Sequence, residues 1–252
     1  ICLARGLNTL GNTSPLIVVN GVPNRSSERI NPNDIESITV LKDAAAAIYG
    51  AQAANGAIIV TTKRGNSGKP RINFDLGMGM NQPTRIPKMA DAVQYTTLLN
   101  ELEYYKNPNG GWNQRFTEED IRLFADGSDP WGHPDTDWFS ETLKPWSAQH
   151  QASVTLSGGS ENVQYFISAG EKYQDAYYRK SSSDYRQYNF RSNVDAKVNK
   201  YIDVAFDVAG RLEDYNLPTR PTEDIIWSMI TRGKPNMPAY WPDGNPGPDI
   251  ER

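Results

Sequence analysis

The chain has 252 residues, of which 38% are hydrophobic and 10% aromatic, with a formal net charge of -4. This length supports one or two domains with a real core, and the slightly acidic balance gives no basic footprint for nucleic acid. A single cysteine, Cys2, excludes an intrachain disulfide.

No apolar run approaches the roughly 20 residues of a membrane-spanning helix, and no signal peptide is visible. With Ile1 in place of an initiator methionine, the sequence reads as an internal piece of something longer. Leu16 to Val19 is a short continuous apolar run, the pattern of a strand buried on both faces. Asn20-Gly21 marks a tight turn after it. Ser37 to Lys42 alternates, with Ile38, Val40 and Lys42 on one side and Thr39 and Leu41 on the other. Asp43 is the expected N-cap of a short alanine helix that stops at Gly50. Asn55-Gly56 turns the chain into a strand over Ala57 to Lys63. The order strand, short helix, strand has a connection near the minimum length for a crossover.

From Pro70 the pattern is strict alternation. Ile72, Phe74, Leu76, Met78 and Met80 share one face, and Arg71, Asn73, Asp75, Gly77 and Gly79 the other. A long connection follows. In it Ala92, Tyr95, Leu98, Leu99, Leu102 and Tyr105 recur at helical spacing. Thr117 and Asp120 form a capping-box pattern ahead of a helix stopped by Gly127. Alternation resumes in Gln151 to Ser157 and Val163 to Lys172. In the next two runs Phe190, Val194, Val204 and Phe206 oppose Arg191, Asp195 and Asp207. Thr222 is the expected cap of a last helix, and a Pro- and Gly-rich irregular stretch follows it. Strands of about 10 residues with apolar-out, polar-in alternation and connections that are long, short, long, short suit a transmembrane β-barrel. Alternation alone fits a half-solvated soluble sheet equally well.

Three segments, PLIVVNGVP, INPNDIESITVLKDAAAAIYGAQAANGAIIVTTKRG and KPRINFDLGMG, resemble in order and spacing the plug-to-barrel junction of SusC/RagA-type TonB-dependent outer-membrane receptors. Downstream, DTDWFSETLKPWSAQHQASVTLSGGSENVQYFISAG and YNFRSNVDAKVNKYIDV resemble that family's early barrel strands. Asn20 stands where the family's plug strand is expected to carry aspartate. The resemblance implies an α+β plug domain over residues 1–68, the C-terminal part of the plug. Antiparallel strands of an incomplete transmembrane β-barrel with long external loops follow over 69–252. Five strands are countable where a closed barrel of this kind needs about 22. The resemblance further implies import of oligosaccharides or other large nutrients across the outer membrane of a Gram-negative cell. The implied partners are a SusD-like surface lipoprotein, TonB (through a segment absent from this chain) and outer-membrane lipid. The rival reading is a soluble carbohydrate-binding or adhesion module.

Neither the plug reading nor the residues require catalysis, a cofactor or a metal. His133 and His150 fall in no HxxxH or HExxH spacing and read as ordinary polar residues. Asp129, Asp135 and Asp137 lack EF-hand spacing and read as a solvated turn. No GxSxG motif occurs. Asn12 and Asn24 match the glycosylation pattern by chance. Trp227, Tyr240 and Trp241 are the candidate substrate contacts, since aromatic rings stack on apolar sugar faces. Tyr177, Tyr178, Tyr185 and Tyr188 read as interfacial girdle residues.

Overall fold

The computed structural model describes residues 14–23 and 30–247; Cys2, Asn12 and Asn24 lie outside the described residues. The chain divides into two compact units. One comprises residues up to 79 with 149–174 and 185–214, and the other 80–148, 175–184 and 215 onward.

The first unit opens with β1 (Leu16–Val19) and β2 (Val22–Pro23), joined through Asn20 and Gly21. Both turn residues have positive φ, 47° and 82°, as a two-residue hairpin requires. A single helical turn, Pro32–Asp34, leads into β3 (Ile35–Leu41), and Asp43–Ala53 precedes β4 (Ala57–Thr62). The sheet order is β2-β1-β4-β3. The three strand runs read from the sequence therefore share one sheet, with β1 and β4 parallel through Leu16↔Ala57 to Val19↔Val60. The expected crossover between the second and third runs is corrected: β3 and β4 are antiparallel neighbours. The helical connection folds back beside the strand it left. The parallel crossover is the longer path from β1, through β2 and β3, to β4.

The helical connection also departs from expectation. Asp43–Ala53 is a 3-10 run, with Lys42 in the capping position and no side-chain cap. Gly50, at φ 71° and ψ −161°, is non-helical and ends the first helical piece as read; a second piece continues to Ala53. Alanines let this tight helix approach the sheet closely: Ala46 and Ala53 are buried with Leu16, Val18 and Ala57. Val19, Ile30 and Val60 form a second buried cluster.

The second sheet is the meander β5 (Gly68–Asn81), β6 (Ser147–Gly159), β7 (Val163–Asp175), β8 (Asp184–Asn199) and β9 (Ile202–Asn216). Each strand is 13 to 16 residues long, longer than the alternation alone delimits. Ile72, Phe74, Leu76 and Met78 are 59–81% exposed, and Phe190, Val204 and Phe206 are also exposed. The opposite parity is inward: Ser153, Thr155, Ser168, Arg191 and Asn193 are buried. Phe166 is the apolar member of this inner row, 3% exposed and paired with Ser157.

The second unit holds α1 (Ala92–Lys106), α2 (Glu118–Asp126), α3 (Trp138–Thr142) and α4 (Thr222–Thr231). The capping box at Thr117 and Asp120 forms as read, and Gly127 ends α2 in the left-handed conformation. On α1 the apolar spacing predicts the helix but not its buried side. Ala92, Thr96 and Asn100 face inward, while Leu98, Leu102 and Tyr105 are exposed. Asn100 explains the inversion. Its carbonyl accepts from Arg115 N–H and Phe116 N–H, and its amide donates to Phe116 O. Thr222 is the first residue of α4 rather than its cap; Pro221 precedes it and Tyr178 donates to the Thr222 hydroxyl. The girdle reading is likewise corrected for three tyrosines. Tyr177 and Tyr178 pack on Phe139, Leu143 and Met229, and Tyr185 donates to Glu213. Tyr188 alone of the four keeps the parity of Phe190, and both are exposed.

Because Ala46 is 1% exposed against β1 and β4, Ala46→Asp places an unpaired carboxylate in the core. The expected cost is about 3 kcal/mol or more. A drop in the urea midpoint of the front domain, read in the full-length protein, checks this.

Candidate functional site

Two places gather chemistry, one in each unit. In the first, the front sheet meets the polar face of the β-meander. Asn20 begins the network: its amide donates to Thr62 Oγ1 at 2.7 Å, and its carbonyl accepts from Thr62 N–H at 2.9 Å. The Asn20 amide thus pairs with both the hydroxyl and the backbone N–H of Thr62. Asn193, fully buried on β8, donates to Thr62 Oγ1 at 3.1 Å and Lys63 O at 2.8 Å. Asn33 donates to Ser153 Oγ of β6 at 3.0 Å.

Charges reinforce the contact. Arg64 reaches Asp195 of β8 at 2.6 Å and Asp207 of β9 at 2.8 Å, bridging the two strands. The hydrogen bond to Asp195 holds the Arg64 guanidinium above its ordinary range, against the opposing effect of burial, with Asp207 adding to the shift. These groups are about one-third exposed, so each pair contributes on the order of 1 kcal/mol at most. Deeper in, Arg191 Nε lies 3.4 Å from Asp34 Oδ2, with both residues buried. Gly65 follows the clamp. A Cβ there would come within 2.2 Å of Tyr165 N, so the linker is pressed against the β7 backbone with no room for a side chain.

Beside this contact is a cavity of about 510 Å³ lined by Asn20, Asn31, Asp34, Arg191, Asp207 and Arg211 among others. Asp34 Oδ1 is buried without a hydrogen-bond partner among the described residues. A polar cavity of this size suits ordered water. Along the inner face of β8, Gln187 donates to Asn189, and the single proton of the Tyr185 hydroxyl faces both Gln187 Oε1 at 2.6 Å and Glu213 Oε1 at 2.7 Å. Alternation marked these residues as a polar face. The partners of Arg191 and Asp195 on the same face, Asp34 and Arg64, are 157 and 131 positions away and left no local signal.

The second place is in the loop body. Tyr240 lines a cavity of about 560 Å³ with Phe124, Trp131, His133, Asp137 and Glu141. Lys180 lies over the Tyr240 ring, 3.9 Å from its centroid. Trp241 closes the adjoining turn: its N–H donates to Asn245 O and its carbonyl accepts from Gly244 N–H. Trp227 projects from α4, 65% exposed, and is not among the residues lining that cavity. The structure thus brings Tyr240 together with Trp131, a neighbour in sequence of Asp129, Asp135 and Asp137. Those aspartates have separate duties. Asp135 accepts from Ala92 N–H, Asp137 caps α3, and Asp129 contacts His133. His150 stacks on Tyr173, ring centroids 5.1 Å apart. Among the described residues no cluster of His, Cys, Asp or Glu is arranged to hold a metal ion.

Asn193→Ala leaves Lys63 O without its buried donor and removes one bond to Thr62. We expect a loss of about 1–3 kcal/mol in the seating of the front domain. Reactivity of a thiol at Val18→Cys, a fully buried position, in rising urea measures it; an unchanged profile contradicts the assignment.

Residues 3–57 match the family model for the TonB-dependent receptor plug domain. TonB-dependent receptor P26 of Formosa agariphila is 30% identical over 249 residues, covering 96% of this chain and 23% of the relative. SusC of Bacteroides thetaiotaomicron is 29% identical over 247 residues, covering 86% of this chain and 22% of the relative. The chain therefore spans about a quarter of the length of these curated relatives. Among solved structures, the RagAB peptide transporter matches with TM-score 0.67 and 25% identity, over 81% of this chain and 25% of that chain. The RagAB peptide importer in the closed-closed state gives TM-score 0.63 and 26% identity, with the same coverage. The front sheet is thus a plug, the meander is the start of a barrel wall, and the chain belongs to the SusC/RagA-type TonB-dependent receptors.

Proposed function

We propose that the complete protein is an outer-membrane transporter of a Gram-negative cell. It imports oligosaccharides or other large nutrients with energy from TonB, and a SusD-like surface lipoprotein serves as its lid. Residues 1–68 are then the C-terminal part of the plug, and 69–252 begin the β-barrel with its long external loops. The role is transport rather than catalysis and needs no cofactor.

The observation that carries this reading is the parity split of β5 to β9. One row of side chains is apolar and exposed, and the other is polar and engages the plug. A closed barrel satisfies every backbone group inside lipid, presents apolar side chains outward and keeps polar ones in the lumen. A soluble adhesion module with the same strands would leave Ile72, Phe74, Leu76 and Met78 in water, a larger continuous apolar row than soluble surfaces carry. RagAB is a peptide transporter, so peptides stand beside oligosaccharides as substrates of this fold. Exposed Trp227 and Trp241 and half-buried Tyr240 suit either, because aromatic rings pack on sugar faces and on peptide side chains alike.

Counting crossings from the linker, β5 runs outward, β6 returns, and the Ser160–Asn162 turn lies at the periplasmic rim. Two more crossings bring the β8–β9 turn to the same rim. In the complete receptor on intact cells, Asn109→Cys and Asp243→Cys should react with a membrane-impermeant thiol reagent, and Glu161→Cys should not. Glu161 is exposed in its turn and tolerates substitution, whereas neighbouring Gly159 has φ 149° and no room for a Cβ. Labelling of Glu161→Cys alone inverts the topology and defeats the reading. Trp241→Ala should weaken uptake of maltooligosaccharide or peptide probes several-fold, with barrel assembly unchanged.

A further inference from the structure

The imidazole of His133 has a carboxylate on each nitrogen. Asp129 Oδ2 lies 2.9 Å from Nδ1, and Asp120 Oδ1 lies 3.2 Å from Nε2. The two carboxylates come from different elements. Asp120 sits in the first turn of α2, where its other oxygen accepts from the Thr117 N–H and hydroxyl at 2.7 and 2.8 Å. Asp129 begins the turn that ends at His133. Its Oδ1 accepts from Gly132 N–H at 3.0 Å, and its backbone carbonyl accepts from His133 N–H at 2.8 Å. A Cβ at Gly132 would fall 2.2 Å from the Asp129 carboxylate, so this wrap requires glycine. The ring packs edge-on against Phe124, centroids 5.0 Å apart, and the side chain is 21% exposed. Asp135, Asp137 and Glu141 line the same cavity as His133. Arg122 of α2 is engaged by Glu119 and Asp126.

A neutral imidazole has one N–H and one lone pair; only the imidazolium donates from both nitrogens. With a carboxylate facing each nitrogen, deprotonation turns one hydrogen bond into a contact between a lone pair and an anion. We propose that His133 is a proton-operated clasp: charged, it ties the 127–133 turn to the start of α2, and neutral, it lets one end go. Trp131 lies within that turn and on the wall of the loop cavity, so release changes how its indole is presented. The clasp is independent of what the receptor carries.

The titration directions agree with this geometry. Asp129 chiefly, then Asp120, holds His133 above the ordinary imidazole range, with burial opposing. Hydrogen bonds from the Thr117 backbone and hydroxyl, then His133, lower Asp120. The Gly132 N–H, then His133, lowers Asp129. A raised imidazole contributes stability that is complete below about pH 6.5 and is lost as pH rises through the folded value. The lowered carboxylates contribute above about pH 4 and lose it on further acidification. The clasp is therefore complete in mildly acidic solution and opens as pH rises through the raised imidazole value.

The test is hydrogen–deuterium exchange of the full-length receptor in detergent at a series of pH values from 6 to 8.5, corrected for intrinsic exchange rates and followed in peptides covering 127–134. Protection should fall about threefold or more across that range. In His133→Gln it should be low and independent of pH. In Asp129→Asn the wild-type pH midpoint should move down. Protection that ignores pH in the wild type, or that varies identically in His133→Gln, overturns the proposal. Since His133→Gln alone would also flatten the response by unfolding the loop, the Asp129→Asn midpoint is decisive; an unmoved midpoint overturns the clasp as well.

Discussion

A strand has two sides, and in the barrel proposed above the β-meander uses them for opposite solvents. Backbone groups inside lipid have no water to pair with, so each strand must bond sideways to its neighbours. That leaves side-chain parity as the only way to separate an oily exterior from a wet interior. Phe74, Phe190 and Phe206 fall on one parity, and Asn193, Asp195 and Asp207 on the other. Everything else about the first unit follows from what the inner parity then needs. Buried amides and carboxylates are costly without partners. The plug answers with Thr62, the Lys63 carbonyl and Arg64 at the end of its central strand. The front domain is accordingly rich in hydrogen-bonding groups at one edge.

The stronger part of this contact is neutral. Asn193 is fully buried and tied to a hydroxyl and a carbonyl, whereas the Arg64 pairs are about one-third open to solvent. Charges set which strands the linker meets; the amide network supplies more of the holding. Such an interface tolerates changes of ionic strength better than one made of ion pairs, because screening acts on separated charges and little on buried amides.

Much of this was legible in the residues. Period-two runs gave the strands and their faces, and Thr117 with Asp120 gave the start of α2. The turn at Asn20-Gly21 and the shared sheet of the plug were legible too. Three kinds of information were not. Strand direction was misread at β3–β4, because a short helical connection serves an antiparallel return as well as a crossover. The spacing on α1 marks a helix but not its packed side, which Asn100 helps set through three backbone bonds. The candidate-site tyrosines showed the same limit: a tyrosine that anchors a loop core, as Tyr178 does, has the same local pattern as one at a lipid interface. In each case the deciding partner is remote in sequence.

The inner row of β8 has a consequence for how this gene can change. Arg191, Asn193 and Asp195 must keep one parity to reach Asp34, Thr62 and Arg64, while Tyr188 and Phe190 must keep the other. Deleting the single codon for Asn189 would put Tyr188 on the parity of Arg191 and Asn193, so one side would face the wrong solvent whichever way the register settled. Removing two codons shortens the strand and leaves both rows where they were. Length variation among descendants of this chain should therefore come in even steps within β8 and in any step within its loops, so the wall drifts by pairs while the loops drift freely.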